Sequence, residues 1–371
     1  MLEKSAKHKI KKRWSQKDKI VNDFYSFKPV RKYMLACLSG NESEKIDNDW
    51  MERWRIEKYL SDKMPVERCL SICCGFGFKE RILSRLNAFS HCTAIDLSEK
   101  AIQEARRLAE ADNIYNIEYL TADIENISLE KEKYDLIYAS GALHHIKNLE
   151  HVIRLLYDSL RPGGILLSDE YVGPSYNQLT ARHREIINSV IHMIPKTHRY
   201  HTEHLFIPEF FRFRRWRRAL YELSRLIMLK PLGINFEIYD IPKDISNFKN
   251  LLIKTGKNLN RALLERENHR FRYGKLWDVY PKIVKEKDPS EGIRSDEIIP
   301  LIKNTFKDNI EVKYYNCSIL HYALDNKFFE AYNPESLEDR QLFDMVVNIE
   351  KLMIARGEIP PILAHIFAFK N

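Results

Sequence analysis

Between about residues 66 and 170, short apolar runs alternate with amphipathic stretches, and that rhythm leaves few folds open. Residues 66–73, 91–95, 117–121, 134–139 and 165–168 read as strands. Residues 78–86, 98–111 and 149–160 read as the helices between them. Ser98 is the N-cap of the second helix, and the third stops at Arg161-Pro162-Gly163-Gly164. Strands and helices in this order make a parallel sheet with crossover helices on both faces.

After Asp169 the rhythm breaks. Residues 175–290 are helical in pattern, basic and aromatic, and lack short buried strands. The alternation returns with a helix at 295–306, a strand at 310–315, a long helix at 337–356 and a last strand at 362–369. The expected organisation is a basic N-terminal helical arm over 1–65 and a core over 66–174. A helical insertion over 175–290 lies between strands five and six, and 291–371 completes the sheet. At 371 residues, with 44% hydrophobic and 30% charged residues, the chain has the composition of a packed domain with room for such an insertion.

The six cysteines have neither zinc-finger nor redox spacing, which points to free thiols in a reducing, cytoplasmic setting. The polar, basic start does not read as a secretory signal, and no apolar run is long enough to span a membrane. Positive charge gathers in two patches. Residues 1–19 hold eight Lys/Arg against two acids, and 205–233 hold six Arg and Lys230 against Glu209 and Glu222. Such patches favour an acidic partner or surface.

The end of the first strand carries Ser71-Ile72-Cys73-Cys74-Gly75-Phe76-Gly77. Glycines at a strand-to-helix turn let the backbone approach a ligand. Nineteen residues past Gly77 the second strand ends in Asp96-Leu97, where a carboxylate can accept hydrogen bonds from both hydroxyls of an adenosine ribose. A dinucleotide site needs a third glycine under the pyrophosphate, but Glu80 stands there and would repel it, so NAD is disfavoured. S-adenosylmethionine has no phosphates and lacks that requirement.

These segments resemble the motifs of class I S-adenosylmethionine-dependent methyltransferases, a Rossmann-like fold. Asp96 resembles the ribose-binding acid. Thr121-Ala122-Asp123-Ile124 resembles the adenine segment, whose Asp reaches the adenine amino group. Tyr134 to His145 and Leu160 to Gly164 resemble the fourth-strand motif and the turn before strand five. The resemblance implies S-adenosylmethionine as cofactor, held by Ser71, Cys73, Cys74, Gly75, Phe76, Gly77, Asp96, Leu97, Asp123, Ile124 and Ser140. Cys73 departs from the usual glycine and Ser71 from the usual acid. Asp169-Glu170-Tyr171-Val172-Gly173-Pro174 and Asp288-Pro289-Ser290-Glu291, with Arg294-Ser295, resemble a bacterial subgroup associated with glycan and surface-polysaccharide biosynthesis. It implies O-methylation of a sugar, glycan or other small acceptor, phosphorylated or lipid-linked forms included.

His144, His145, Glu170 and Tyr171 follow strands four and five at the edge where open α/β sheets bind ligands, and each can take a proton from an acceptor. No metal centre is expected, because His198, His201 and His204 would spread too widely around a helix. Phe213, Trp216, Leu220, Leu223 and Ile227 share one helical face flanked by arginines. That face suits docking on the sheet domain, an anionic membrane surface or a substrate clamp; no RNA-binding module is recognisable, so nucleic acid is disfavoured. The lysine-rich start reads as a solvated arm, and Trp50 and Trp54 as core residues. Two rival readings stay open: a cofactor-binding scaffold without turnover, favoured by Cys73, and an RNA methyltransferase.

Overall fold

The computed structural model describes Lys7, Ile10 and residues 24–40, 46–47, 49–199 and 288–371. Seven strands form one sheet: β1 (Val66–Ile72), β2 (Phe89–Asp96), β3 (Ile117–Thr121), β4 (Tyr134–Ser140), β5 (Leu160–Tyr171), β6 (Ile310–Asn316) and β7 (Leu363–Phe369). Their order is β3-β2-β1-β4-β5-β7-β6. The first five are parallel, and β7 runs antiparallel to both β5 and β6. A dinucleotide fold continues its parallel order 3-2-1-4-5-6. The reversed β7, slotted between β5 and β6, makes this the Rossmann-like methyltransferase sheet with helices packed on it.

The central strands read as unbroken apolar runs because both faces are covered. Leu136, Ile137 and Ala139 are fully buried, as are Leu70 of β1 and Leu166 of β5. The crossover helices are α3 (Phe78–Arg85), α4 (Glu99–Ala111) and α5 (Leu149–Ser159), preceded in the chain by α1 (Lys28–Ser39) and α2 (Trp50–Tyr59). Ser98 caps α4 by accepting from the Ala101 amide at 3.3 Å, and Ala101, Ile102, Ala105 and Ala109 form its buried stripe. The turn Arg161 to Gly164 does not separate α5 from a later strand as expected. It is carried inside β5 as an irregularity opposite Tyr134–Leu136, with Gly163 at φ +74° and its amide donating to the Lys370 carbonyl at 2.7 Å.

Everything described between β5 and β6 is helix, turn or loop, including α6 (Ala181–Met193) and α7 (Ile298–Phe306). After β6 come α8 (Leu320–Ala323), α9 (Asn326–Ala331) and α10 (Leu337–Ala355). Ile187 and Val190 of α6 share a core with Val30 and Met34 of α1, Phe328 of α9, Val346 of α10 and Leu363 of β7. Trp50 and Trp54 belong to the same core, as their spacing implied. His198 lies 3.2 Å from Asp339. Residues 200–287, with His201, His204 and the Phe213 to Ile227 face, lie outside the described residues.

Candidate active site

The turn after β1 takes the left-handed backbone its glycines permit. Gly75 and Gly77 have φ of +53° and +67°, and Cys73, at the usual glycine position, also takes φ +53°. An L-residue bears a cost of about 1–2 kcal/mol there, so Cys73 adopts the glycine conformation without closing the turn. Asp96, at the tip of β2, ties this turn to the next: Oδ2 accepts from the Gly75 amide at 2.9 Å and Oδ1 from the Ser98 amide at 2.8 Å. Burial pushes its carboxyl above the usual range, and those two amide bonds oppose the rise. Each carboxylate oxygen keeps a second lone pair, which is what a ribose diol requires.

A cavity of about 230 Å³ opens over these turns. Cys73, Cys74 and Gly75 form one wall and Ile95, Asp96, Leu97 and Ser98 the floor. Ala122, Asp123, Ile124 and Glu125 close the far end, and Ser140, Gly141, His145, Ile146 and Ser290 the near one. Eight of the expected cofactor residues therefore meet around one space. Ser71, Phe76 and Gly77 lie outside that lining. Ser71 donates instead to the buried Glu80 at 2.6 Å, because alternate strand residues face opposite sides of the sheet. Gly77 supports the turn from below, packed against the Tyr119 ring.

Asp123 is not solvent-facing alone. Its Oδ2 accepts from Lys7 Nζ at 2.6 Å and Asn126 Nδ2 at 2.8 Å. Burial raises its carboxyl, but those hydrogen bonds outweigh burial and leave it lowered. Lys7 and Ile10 also line the cavity, so this part of the basic start is no solvated arm.

At the near end, β4 runs into a one-turn helix, Leu143–His145, whose amides point at Glu170. Glu170 Oε1 accepts from the Ala142 and Leu143 amides at 3.0 and 2.8 Å, and Oε2 lies 2.7 Å from His144 Nδ1. With no side-chain exposure, Glu170 fixes the ring of His144 from behind. Burial lowers the His144 imidazole, but the hydrogen bond and charge of Glu170, with Glu291 and Asp288, outweigh it and leave it raised. His145 is pushed down to about 4, by burial first and then by the charge of His144. Tyr171 donates to the Pro174 carbonyl at 3.1 Å and lies with its ring centroid 6.4 Å from that of His144.

Two groups of functional side chains were not read from the sequence. Ser290 and Glu291, where the insertion meets the rest of the sheet domain, reach the histidines: Ser290 Oγ is 3.2 Å from His145 Nδ1 and Glu291 Oε1 3.9 Å from His144 Nε2. The motif Asp288 to Glu291 was visible, but not its neighbours. Behind Ser140 lies a buried ion network with no sequence signal. Arg55 of α2 pairs with Asp169 at 2.8 Å and Glu52 at 3.3 Å, and donates to Tyr138 at 2.9 Å. Lys79 joins Glu52 at 3.1 Å, and Tyr315 donates to Asp169. Burial opposes its charge, but the cations Arg55 and Lys79 hold the Asp169 carboxyl far below the usual range.

Comparison with known proteins agrees with this geometry. Residues 70–168 match the family described as "Methyltransferase domain". The malonyl-[acyl-carrier protein] O-methyltransferase of Bacillus cereus is 34% identical over 114 residues, 31% of this chain and 41% of that protein. Its namesake in Enterobacter lignolyticus is 31% identical over 163 residues, 43% of this chain and 61% of that protein. Sterol 24-C-methyltransferase of Clavispora lusitaniae is 30% identical over 139 residues, 36% of each chain. The chain thus spans less than two thirds of the length of each of these relatives. Residues 70–168 thus match a methyltransferase domain, and they lie in a sheet of Rossmann-like methyltransferase order with the Asp96-floored cavity at its edge.

Proposed function

We propose that this protein is an S-adenosylmethionine-dependent methyltransferase that methylates an oxygen of a small or carrier-bound acceptor. The observation that supports it best is the cavity over Asp96, which has a carboxylate floor for a ribose, backbone without side chains at Gly75 and apolar walls from Ile95, Ile124 and Ile146. Cofactor bound there supplies an activated methyl group. The protein's residues align the acceptor with it, and alignment carries most of such a reaction.

In this reading Asp96 holds the ribose, Asp123 and Ile124 frame the adenine, and Ser140 and Gly141 face the reacting end. Lys7 must yield Asp123 to the adenine amino group or share it. Glu170 positions His144, while His144, His145 and Glu291 meet the acceptor. Tyr171, its hydroxyl given to Pro174, shapes that end. The named relatives act on an oxygen in one case and a carbon in another, so the matched core does not select the acceptor. Selection falls to the segment 175–290, Ser290 included, and to Glu291 after it. The finer assignment, a sugar or glycan hydroxyl, rests on the resemblance of Asp169 to Pro174 and Asp288 to Glu291.

Titration calorimetry with S-adenosylmethionine, S-adenosylhomocysteine and NAD tests the reading. Micromolar binding of the first two and none of NAD is expected, followed by transfer of labelled methyl to a panel of hydroxylic acceptors. No binding of either sulfur nucleoside would refute it.

A further inference from the structure

We propose that His144, His145 and Glu291 form a binding site for one divalent transition-metal ion at the acceptor end of the cavity. One ring nitrogen of each histidine and one carboxylate oxygen of Glu291 lie within 4.8 Å of one another. Ligands each about 2.0–2.2 Å from an ion stand about 3–4 Å apart, so closing the group by about 1–2 Å encloses one.

Three further features point to an ion. Metal-bound histidines almost always have the other ring nitrogen held by a carboxylate, carbonyl or similar acceptor, which fixes the ring and its tautomer. Here Glu170 holds Nδ1 of His144 at 2.7 Å, and Ser290 lies 3.2 Å from Nδ1 of His145 while donating to Asp288 at 2.6 Å. The charge balance also lacks a cation. Glu170, Glu291 and Asp288 surround the two imidazoles, and among the described residues none of these carboxylates has a Lys or Arg ion pair. Lastly, Asp288 is 5% exposed and its Oδ2 is buried without a hydrogen-bond partner among the described residues. Buried carboxylates left so are costly unless a cation is near.

Two imidazoles and one carboxylate favour zinc, iron or manganese over magnesium, and three protein ligands leave open positions of the kind catalytic sites keep. Resting on the proposed function, the inference places the acceptor in those positions. A hydroxyl beside a second oxygen, as in a vicinal diol or hydroxy acid, would chelate the ion, and its pKa would fall on binding. No local spacing marks the group as ligands, because they lie on either side of the 175–290 segment.

The test uses the full chain freed of metal by chelator, titrated calorimetrically with ZnCl2 and MnCl2, with MgCl2 for comparison and S-adenosylhomocysteine in parallel. One zinc or manganese ion per chain at micromolar affinity or tighter is expected, with magnesium at least tenfold weaker. His144→Ala and Glu291→Gln should each weaken zinc binding at least tenfold, and Glu170→Gln by about 10–100-fold. Glu291 is half-exposed, so Glu291→Gln should keep both its fold and its affinity for S-adenosylhomocysteine. Absence of stoichiometric binding, or binding unchanged in both His144→Ala and Glu291→Gln, overturns the site. Ion binding without nucleoside binding would uphold the site and sink the methyltransferase reading; nucleoside binding without an ion would do the reverse.

Discussion

Gly77→Ala would load two penalties onto one position. The residue sits at φ +67° just before α3, a conformation that costs an L-residue about 1–2 kcal/mol. A Cβ there would also fall 2.7 Å from Cε1 and 2.8 Å from Cζ of Tyr119, and closer still to its hydroxyl. Tyr119 is 3% exposed, so the ring has no open side into which it can swing. Overpacking of that kind costs about 1–3 kcal/mol, while the stiffer unfolded chain returns about 0.4–1 kcal/mol. The net loss should be about 3 kcal/mol, read as a fall in the urea midpoint with an unchanged slope. The double variant Gly77→Ala/Tyr119→Leu, compared with Tyr119→Leu alone, should show only the backbone share less the same return, about 1 kcal/mol. A loss below 1 kcal/mol in the single variant, or no relief in the double, would refute this account.

Asp96→Ala should weaken S-adenosylhomocysteine binding by about 2–3 kcal/mol, since it removes charge-assisted bonds to the ligand and frees the Gly75 turn; unchanged affinity by calorimetry would sink the ribose assignment. Arg55→Met leaves the buried Glu52 and Asp169 to share Lys79 alone among the described cations and should cost about 3 kcal/mol in chemical denaturation at pH 7. Both carboxyls are lowered in the folded state, so that stabilisation is present above the ordinary carboxylate pKa and lost as pH falls; the gap between wild type and variant should narrow in acid. Asp325 has the opposite sign: burial raises its carboxyl to about 6 although its Oδ1 caps α9 through the Lys327 and Phe328 amides. The folded state holds that proton more tightly, so this group erodes stability as pH rises from about 4 to 6. Asp325→Asn keeps the acceptor and should gain about 1–2 kcal/mol at pH 7.5 and nothing at pH 4, measured by urea denaturation.

The sheet was legible because its strands are covered on both faces, which writes them as uninterrupted apolar runs between helix caps and glycine turns. Asp96 was legible from its interval after Gly77, and Ser98 from its place before an apolar stripe. What escaped was contact between residues remote in the chain. Nothing local marks Arg55 as the partner of Asp169, or Lys7 as the partner of Asp123. Ser71 and Phe76 share the motif of Gly75 but lie outside the cavity lining, and Ser71, turned to the other face of its strand, meets Glu80. Cys73 shows the converse: its departure from glycine was visible, yet only the backbone shows that the turn keeps its glycine-like shape.

The position of β7 governs the order in which the molecule can be completed. β5 ends at Tyr171, and the strand that covers its free edge begins only at Leu363, roughly 190 residues later. At a synthesis rate of about 5–20 residues per second, that edge waits about 10–40 s for its partner. Meanwhile Ile165, Leu166 and Leu167, all but fully buried in the finished sheet, present unpaired backbone to whatever strand is nearest. β6 cannot shelter it, because β6 bonds to β7 and not to β5. A nascent chain stalled between these two strands therefore carries a cofactor pocket nearly built beside an edge primed for aggregation.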